Sequence, residues 1–235
     1  MIRIITAQPD LRPGDIRANW ALIEKEIRLA KEKGAHLLVL PELCLTGYLI
    51  GDLWDQTAFL RECEAYNARL AAAADGLAIL WGSCAVDWAR AQDDGRVRKY
   101  NAAFAAAGGR FLCPRGSRRP YAVKTLLPSY RQFDDRRYFT GAAVPAAEEG
   151  KTLADFLQPF DIPLGKETLA AGVLLCEDSW DENYAVRPME LLAAHHPDLF
   201  CNLSASPFTL GKNEKRHRML SAALARLGAP MLYVN

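Results

Sequence analysis

The chain has 235 residues, enough for one large domain or two small ones with a sizeable core. Half of its residues are hydrophobic and 24% are charged, the ordinary balance of a globular domain. With 29 basic against 28 acidic side chains the net charge is +1, which gives no electrostatic reason to expect a nucleic-acid or membrane partner.

Met1-Ile2-Arg3-Ile4-Ile5 enters a strand pattern directly, without the apolar core of a signal peptide. No apolar run approaches the roughly 18–20 residues that span a bilayer, so a cytoplasmic protein is expected. Ile2 to Thr6 reads as a strand. Asp15 caps a helix whose apolar positions Ile16, Trp20, Ile23, Ile27 and Ala30 recur at steps of four and three. Gly34 ends it, and Leu37-Leu38-Val39-Leu40 reads as a buried strand. A second helix carries Phe59, Cys63, Tyr66 and Leu70 on one face, and the sheet resumes at Leu77 to Leu80. From Asn101 to Leu127 the pattern predicts short strands with a turn at Gly108-Gly109, and Arg115 to Arg119 reads as a solvated loop. Thr140 to Lys166, rich in Pro, Gly and Ala, is expected to be irregular. Alternation then returns: strand Ala170 to Leu175, helix Tyr184 to His195, strand Leu199 to Leu203, helix Asn213 to Leu227, strand Met231 to Val234. The order predicts one α/β domain over residues 1–235, its strands covered by helices on one face. The chain stops at Asn235 straight after an apolar segment, which reads as a domain truncated at its C-terminal end.

Three residues bear chemistry where an apolar segment gives way to a loop, the place where open α/β sheets bind ligands. They are Glu42 in Leu40-Pro41-Glu42-Leu43, Lys124 in Ala122-Val123-Lys124-Thr125, and Cys176 after Val173-Leu174-Leu175. Taken singly, a strand-end cysteine is usually a small hydrophobe, and a glutamate after a strand is usually a loop or capping residue. A lysine among apolar neighbours needs a partner for its charge. The six cysteines, at 44, 63, 84, 113, 176 and 201, form no CxxC pair; most are expected as buried thiols rather than disulfides or zinc ligands. His36, His195, His196 and His217 read as structural or exposed, which disfavours a cysteine–histidine hydrolase, and no metal-ligand spacing is evident.

Together the three resemble the catalytic Glu, Lys and Cys of the nitrilase (carbon–nitrogen hydrolase) superfamily, in that chain order. More narrowly, the sequence is similar to the amino-terminal glutaminase domain of glutamine-dependent NAD synthetases. The segments that carry the likeness are Ala7-Gln8-Pro9, Pro41 to Tyr48, Lys124 to Tyr130 with Phe133, Leu175 to Trp180, and Asn202 to Phe208 with Gly211-Lys212. This resemblance implies an α-β-β-α sandwich in a homo-oligomer that pairs sandwiches into four-layered cores.

It implies Cys176 as nucleophile, Glu42 as general base and Lys124 as oxyanion donor together with a backbone N–H near Glu177. It implies a second carboxylate at Asp135, where the family usually has Glu; being one methylene shorter, Asp135 is expected to reach Lys124 only if its loop moves closer. Neighbouring Asp134 reads as a solvated turn residue. Glutamine would be held by Tyr130, Glu177, Ser206 and Lys212. Ammonia would pass to a synthetase domain that needs ATP and magnesium; no phosphate-binding loop occurs in the sequence, so no cofactor is expected here. The alternatives are a stand-alone aliphatic amidase or nitrilase-type hydrolase with the same three residues, and a catalytically silent binding module.

Overall fold

The computed structural model describes residues 1–91 and 94–235. Parallel strands need crossover connections, and two amphipathic helices supply them at the start of the chain. Strands β1 (Ile4–Thr6), β2 (Leu37–Val39) and β3 (Ala78–Ala91) run parallel, linked by α1 (Ile16–Glu32) and α2 (Thr57–Ala73). Asp15 caps α1 by accepting the Ala18 N–H at 2.9 Å. The predicted stripe Ile16, Trp20, Ile23, Ile27 and Ala30 is its buried face. On α2, Phe59, Cys63 and Leu70 are buried and Tyr66 is half-buried.

Strand β4 (Val97–Ala107) returns antiparallel to β3, and β5 (Arg110–Leu112) and β6 (Ala122–Val123) both pair with β4. The second sheet has the order β10-β9-β8-β7. Here β8 (Glu167–Leu175), β9 (Leu199–Leu203) and β10 (Met231–Val234) are parallel, and β7 (Phe160–Leu164) forms a hairpin with β8.

The two sheets pack face to face, and side-chain alternation shows how. Leu37, Val39, Leu80, Ala103 and Ala105 of the first sheet meet Phe160, Ile162, Val173, Cys201 and Leu203 of the second. The intervening Leu38, Ile79 and Trp81 turn outward to α1 and α2. On the opposite outer face Leu174 and Phe200 meet Met189 and Leu192 of α6 (Pro188–Ala193) and Leu220 of α7 (Lys212–Leu227). Each central strand is buried on both sides, hence the unbroken apolar runs. Burying one such leucine is worth about 1.5–3 kcal/mol. The architecture is an α-β-β-α sandwich.

Three expectations need correction. Residues 140–166 are not irregular: they form α4 (Ala143–Glu148), α5 (Leu153–Phe156) and β7, because alternation in Phe160-Asp161-Ile162-Pro163-Leu164 buries Phe160, Ile162 and Leu164. From Asn101 to Leu127 the strands are not all short, since β4, which runs on to Ala107, spans 11 residues. The helix expected over Tyr184 to His195 is confined to α6, since Pro188 fixes its first turn and a 3-10 turn, Asp181–Asn183, precedes it. Lys124 lies one residue beyond β6, at the strand end where it was expected.

Five of the six cysteines are buried and Cys113 is exposed. Arg115 and Arg119 pair with Asp161 and Glu149, so the solvated loop is held by ion pairs. Among the described residues, no helix is long and apolar enough to cross a membrane.

Candidate active site

Glu42 follows β2 on a bulging segment, Pro41–Cys44, that lies against β3. The approach is close: a Cβ on Gly82 would sit 2.5 Å from the Glu42 Cα, so only glycine fits there. Gly82 ties the segment down through its N–H to Pro41 O at 3.1 Å and its carbonyl to the Cys44 N–H at 2.9 Å. Leu43, next to Glu42, has φ +48, a left-handed conformation that costs a non-glycine residue about 1–3 kcal/mol.

Lys124 is fully buried, and its Nζ donates to Glu42 Oε1 and to Asp135 Oδ2, each at 2.8 Å. Burial opposes the ammonium, but Glu42, Tyr48 and Asp135 outweigh that and hold Lys124 well above the usual lysine range. Further donors meet both carboxylates. Asn101 Nδ2 donates to Glu42 Oε1 at 2.7 Å, the Ala205 N–H donates to Glu42 Oε2 at 2.8 Å, and the Tyr48 hydroxyl donates to Asp135 Oδ1. Buried charges persist only when paired and hydrogen-bonded in this way.

Asp135 does reach Lys124, and the reason is main-chain position. It is the first residue of a short helix, α3 (Asp135–Tyr138), whose start is anchored by the Asp135 N–H on Pro128 O at 3.0 Å. The helix brings the Cα in far enough for the shorter side chain. Asp134 is exposed, as expected of a turn residue.

Cys176 follows β8 directly, with φ +46, and opens a 3-10 turn, Cys176–Ser179. Its N–H donates to Asn202 Oδ1 at 3.2 Å, and Asn202 Oδ1 also accepts from Ser204. Asp178 clasps both sides of the site. Its carboxylate accepts the Thr125 and Leu126 N–H groups, just after Lys124, and the Leu175 N–H, just before Cys176. Burial pushes the Cys176 thiol up to about 12; Glu42 adds to this and Lys124 opposes it. The sulfur is thus a protonated thiol near neutral pH, close enough to feel both charges.

Cys176 opens into a cleft of about 730 Å³ lined by Tyr130, Glu177, Trp180, Tyr184, Ser206 and Lys212. Burial and then Glu177 push the Tyr184 hydroxyl up to about 12, and both it and the Tyr130 hydroxyl donate to Glu177. Lys212 is the first residue of α7, and its Nζ turns into the cleft, donating to Ser206 Oγ at 2.6 Å. It lies over the Trp180 ring at 5.6 Å, and burial lowers its pKa. All four positions singled out for substrate therefore line one cleft with Cys176. Lys212 thus stands at the entry of α7, half-buried, with its amine turned into the cleft.

The sequence reading gave no role to Tyr48, Asn101, Asp178, Tyr184 or Asn202. Asn101 had a legible signal, a lone amide inside the apolar run Tyr100 to Phe104. Tyr184 had none, since its partner Glu177 is identified only by the fold. His36 accepts the Arg3 N–H, His195 contacts Ala154 and Gln158, and His196 and His217 are exposed.

Across residues 2–235 the chain matches the carbon-nitrogen hydrolase family. It is a carbon–nitrogen hydrolase. Among curated proteins this hydrolase is 30% identical to the glutamine-dependent NAD(+) synthetase of Synechocystis over its full length, covering 39% of that protein. It is 32% identical to the corresponding synthetase of Rhodobacter capsulatus, covering 36% of it. The hydrolase thus spans well under half the length of these relatives. The solved glutamine-dependent NAD+ synthetase of Acinetobacter baumannii superposes with a TM-score of 0.77 at 25% identity, over 100% of this chain and 38% of the other. An amidase from Nesterenkonia sp. superposes with a TM-score of 0.73 over 100% of this hydrolase and 75% of the amidase; at 22% identity that likeness is one of fold.

Proposed function

We propose that this enzyme hydrolyses the side-chain amide of glutamine through a thioester on Cys176 and releases ammonia for NAD synthesis by a domain outside the chain. One observation carries the reading: a buried ammonium, Lys124, clamped at 2.8 Å between Glu42 and Asp135 in the immediate surroundings of a protonated cysteine. A thiol at about 12 is a poor nucleophile until a base takes its proton.

Glu42 accepts the Cys176 proton as sulfur attacks the amide carbon. The developing oxyanion is met by the Lys124 ammonium and by the Glu177 N–H, which lies in the first turn of a 3-10 helix where donors lack an intrahelical acceptor. Glu42 returns the proton to the departing nitrogen, the C–N bond breaks and ammonia leaves the thioester. Water then loses a proton to Glu42 and attacks the thioester. Collapse expels the sulfur, which recovers its proton, and glutamate is released.

In the cleft, Glu177 meets the substrate α-ammonium, with Tyr130 and Tyr184 orienting its carboxylate. Lys212 and Ser206 meet the α-carboxylate. The synthetase relatives supply the link to glutamine and NAD. On this reading ATP and magnesium belong to the synthetase chemistry outside the chain, and the sandwich works within a homo-oligomer.

The test is ammonia release from glutamine measured beside a panel of aliphatic amides and nitriles. Wild-type enzyme is expected to favour glutamine, and Cys176→Ala to release none. Turnover by Cys176→Ala would refute the nucleophile; a preference for simple amides or nitriles would refute the substrate and favour a stand-alone amidase.

A further inference from the structure

Asn101 touches both members of the base–cation pair by two different routes. Its side chain is fully buried in β4, where it stands opposite Cys84 of β3. Asn101 Nδ2 donates to Glu42 Oε1 at 2.7 Å. Its main-chain carbonyl accepts the Lys124 N–H at 2.9 Å, extending the β4–β6 register in which Ala102 pairs with Val123. Glu42 Oε1 is also the oxygen that accepts from Lys124 Nζ, so side chain, main chain and ion pair close a triangle.

The amide orientation follows from chemistry: an ionised carboxylate only accepts, so the NH2 group must face Glu42. That leaves Asn101 Oδ1 buried, and among the described residues it has no hydrogen-bond partner. An unpaired buried acceptor costs stability, and packing alone would be better served at this place by an apolar residue.

We propose that Asn101 is a positioning residue for amide hydrolysis, setting Glu42 through its side chain and Lys124 through its main chain, so that base and oxyanion donor keep one fixed spacing. The inference rests on the roles given above to Glu42 and Lys124. Asn101 touches no substrate atom; it acts through Glu42. A neutral donor is needed, because a second carboxylate against Glu42 disfavours the ionised form that the thiol requires.

The experiment is steady-state ammonia release from glutamine, across a pH series, for the wild-type chain, Asn101→Ala, Asn101→Asp and Cys176→Ala, with thermal melting of each. Asn101→Ala removes the donor and keeps the main-chain bond. It is expected to lower kcat roughly 10–100-fold, the usual effect of a small misplacement of a reacting group, while KM changes by less than about threefold. Asn101→Asp keeps the shape and is expected to move the acid limb of kcat/KM upward by about one pH unit. Should Asn101→Ala fail to fold, the isosteric Asp variant still reads the pH limb. Near-wild-type kcat in Asn101→Ala, or lowered melting temperatures with an unmoved pH limb, would overturn the inference. Persistent turnover by Cys176→Ala would instead overturn the reading of the site itself.

Discussion

Asp135 stands where the family resemblance implies a glutamate, yet its Oδ2 already lies 2.8 Å from Lys124 and its Oδ1 is taken by Tyr48. The pocket is therefore closed around the shorter acid. Restoring the longer one should not help: Asp135→Glu has to push Lys124, Tyr48 or the start of α3 aside, and overpacking of a filled site typically costs about 1–3 kcal/mol. A fall in kcat of about tenfold is expected from such a misplacement, and a variant as fast as wild type would show that the site has slack. The same residue shows where sequence reasoning loses precision. The likeness to the family located Asp135, but whether a side chain one methylene shorter could reach depended on the Asp135 N–H bonding Pro128 O, a tertiary fact. Glu42, Lys124 and Cys176 were legible because each ends an apolar run inside a distinctive segment. Tyr184 and Asn202 were not, because their partners Glu177 and Cys176 are joined to them by the fold and not by any local pattern.

Among the elements, the 3-10 turn after β8 and the segment after β6 are tied together because Asp178 bonds both. Its three backbone N–H partners do not fully offset burial, and the carboxyl is pushed up from 3.8 to about 7, with the Lys124 charge opposing the rise. The folded state therefore holds a proton that the unfolded chain has already released between these values. Stability from this group is greatest below the unfolded value, falls as pH rises toward about 7 and is flat above it. Asp178→Asn cannot titrate. Melting curves at pH 5 to 8 should show wild type losing stability relative to Asp178→Asn up to about pH 7 and running parallel above it. Parallel curves throughout would mean that the carboxyl is ionised at all these values. Helix α1 and the parallel strands could be read in advance because burial on fixed faces repeats at 3.6 or 2 residues. The segment 140–166 could not, since α4 and α5 are one or two turns long and too short for a period to emerge.

At the scale of the whole molecule, the sandwich gathers one group from each of several elements at the end where its parallel strands finish. Glu42 follows β2, Lys124 follows β6, Cys176 follows β8, and the Ala205 N–H follows β9. The fold class and most strands other than β7 were legible along the chain, but the order of strands within each sheet was not, and the pairing of two sheets rested on family likeness. Alternation within β2 marks Leu37 and Val39 as facing one way without naming Phe160 or Leu203 as what they face. Convergence of the strand ends on one sulfur is the central claim, and it is best tested on the intact chain. Incubation with an electrophilic diazoketone analogue of glutamine, followed by intact mass and peptide mapping, is predicted to give a single adduct on Cys176. That adduct should be lost in Cys176→Ala and form much more slowly in Glu42→Gln. Labelling at exposed Cys113 instead, or an unmodified Cys176 in enzyme that still hydrolyses glutamine, would contradict it.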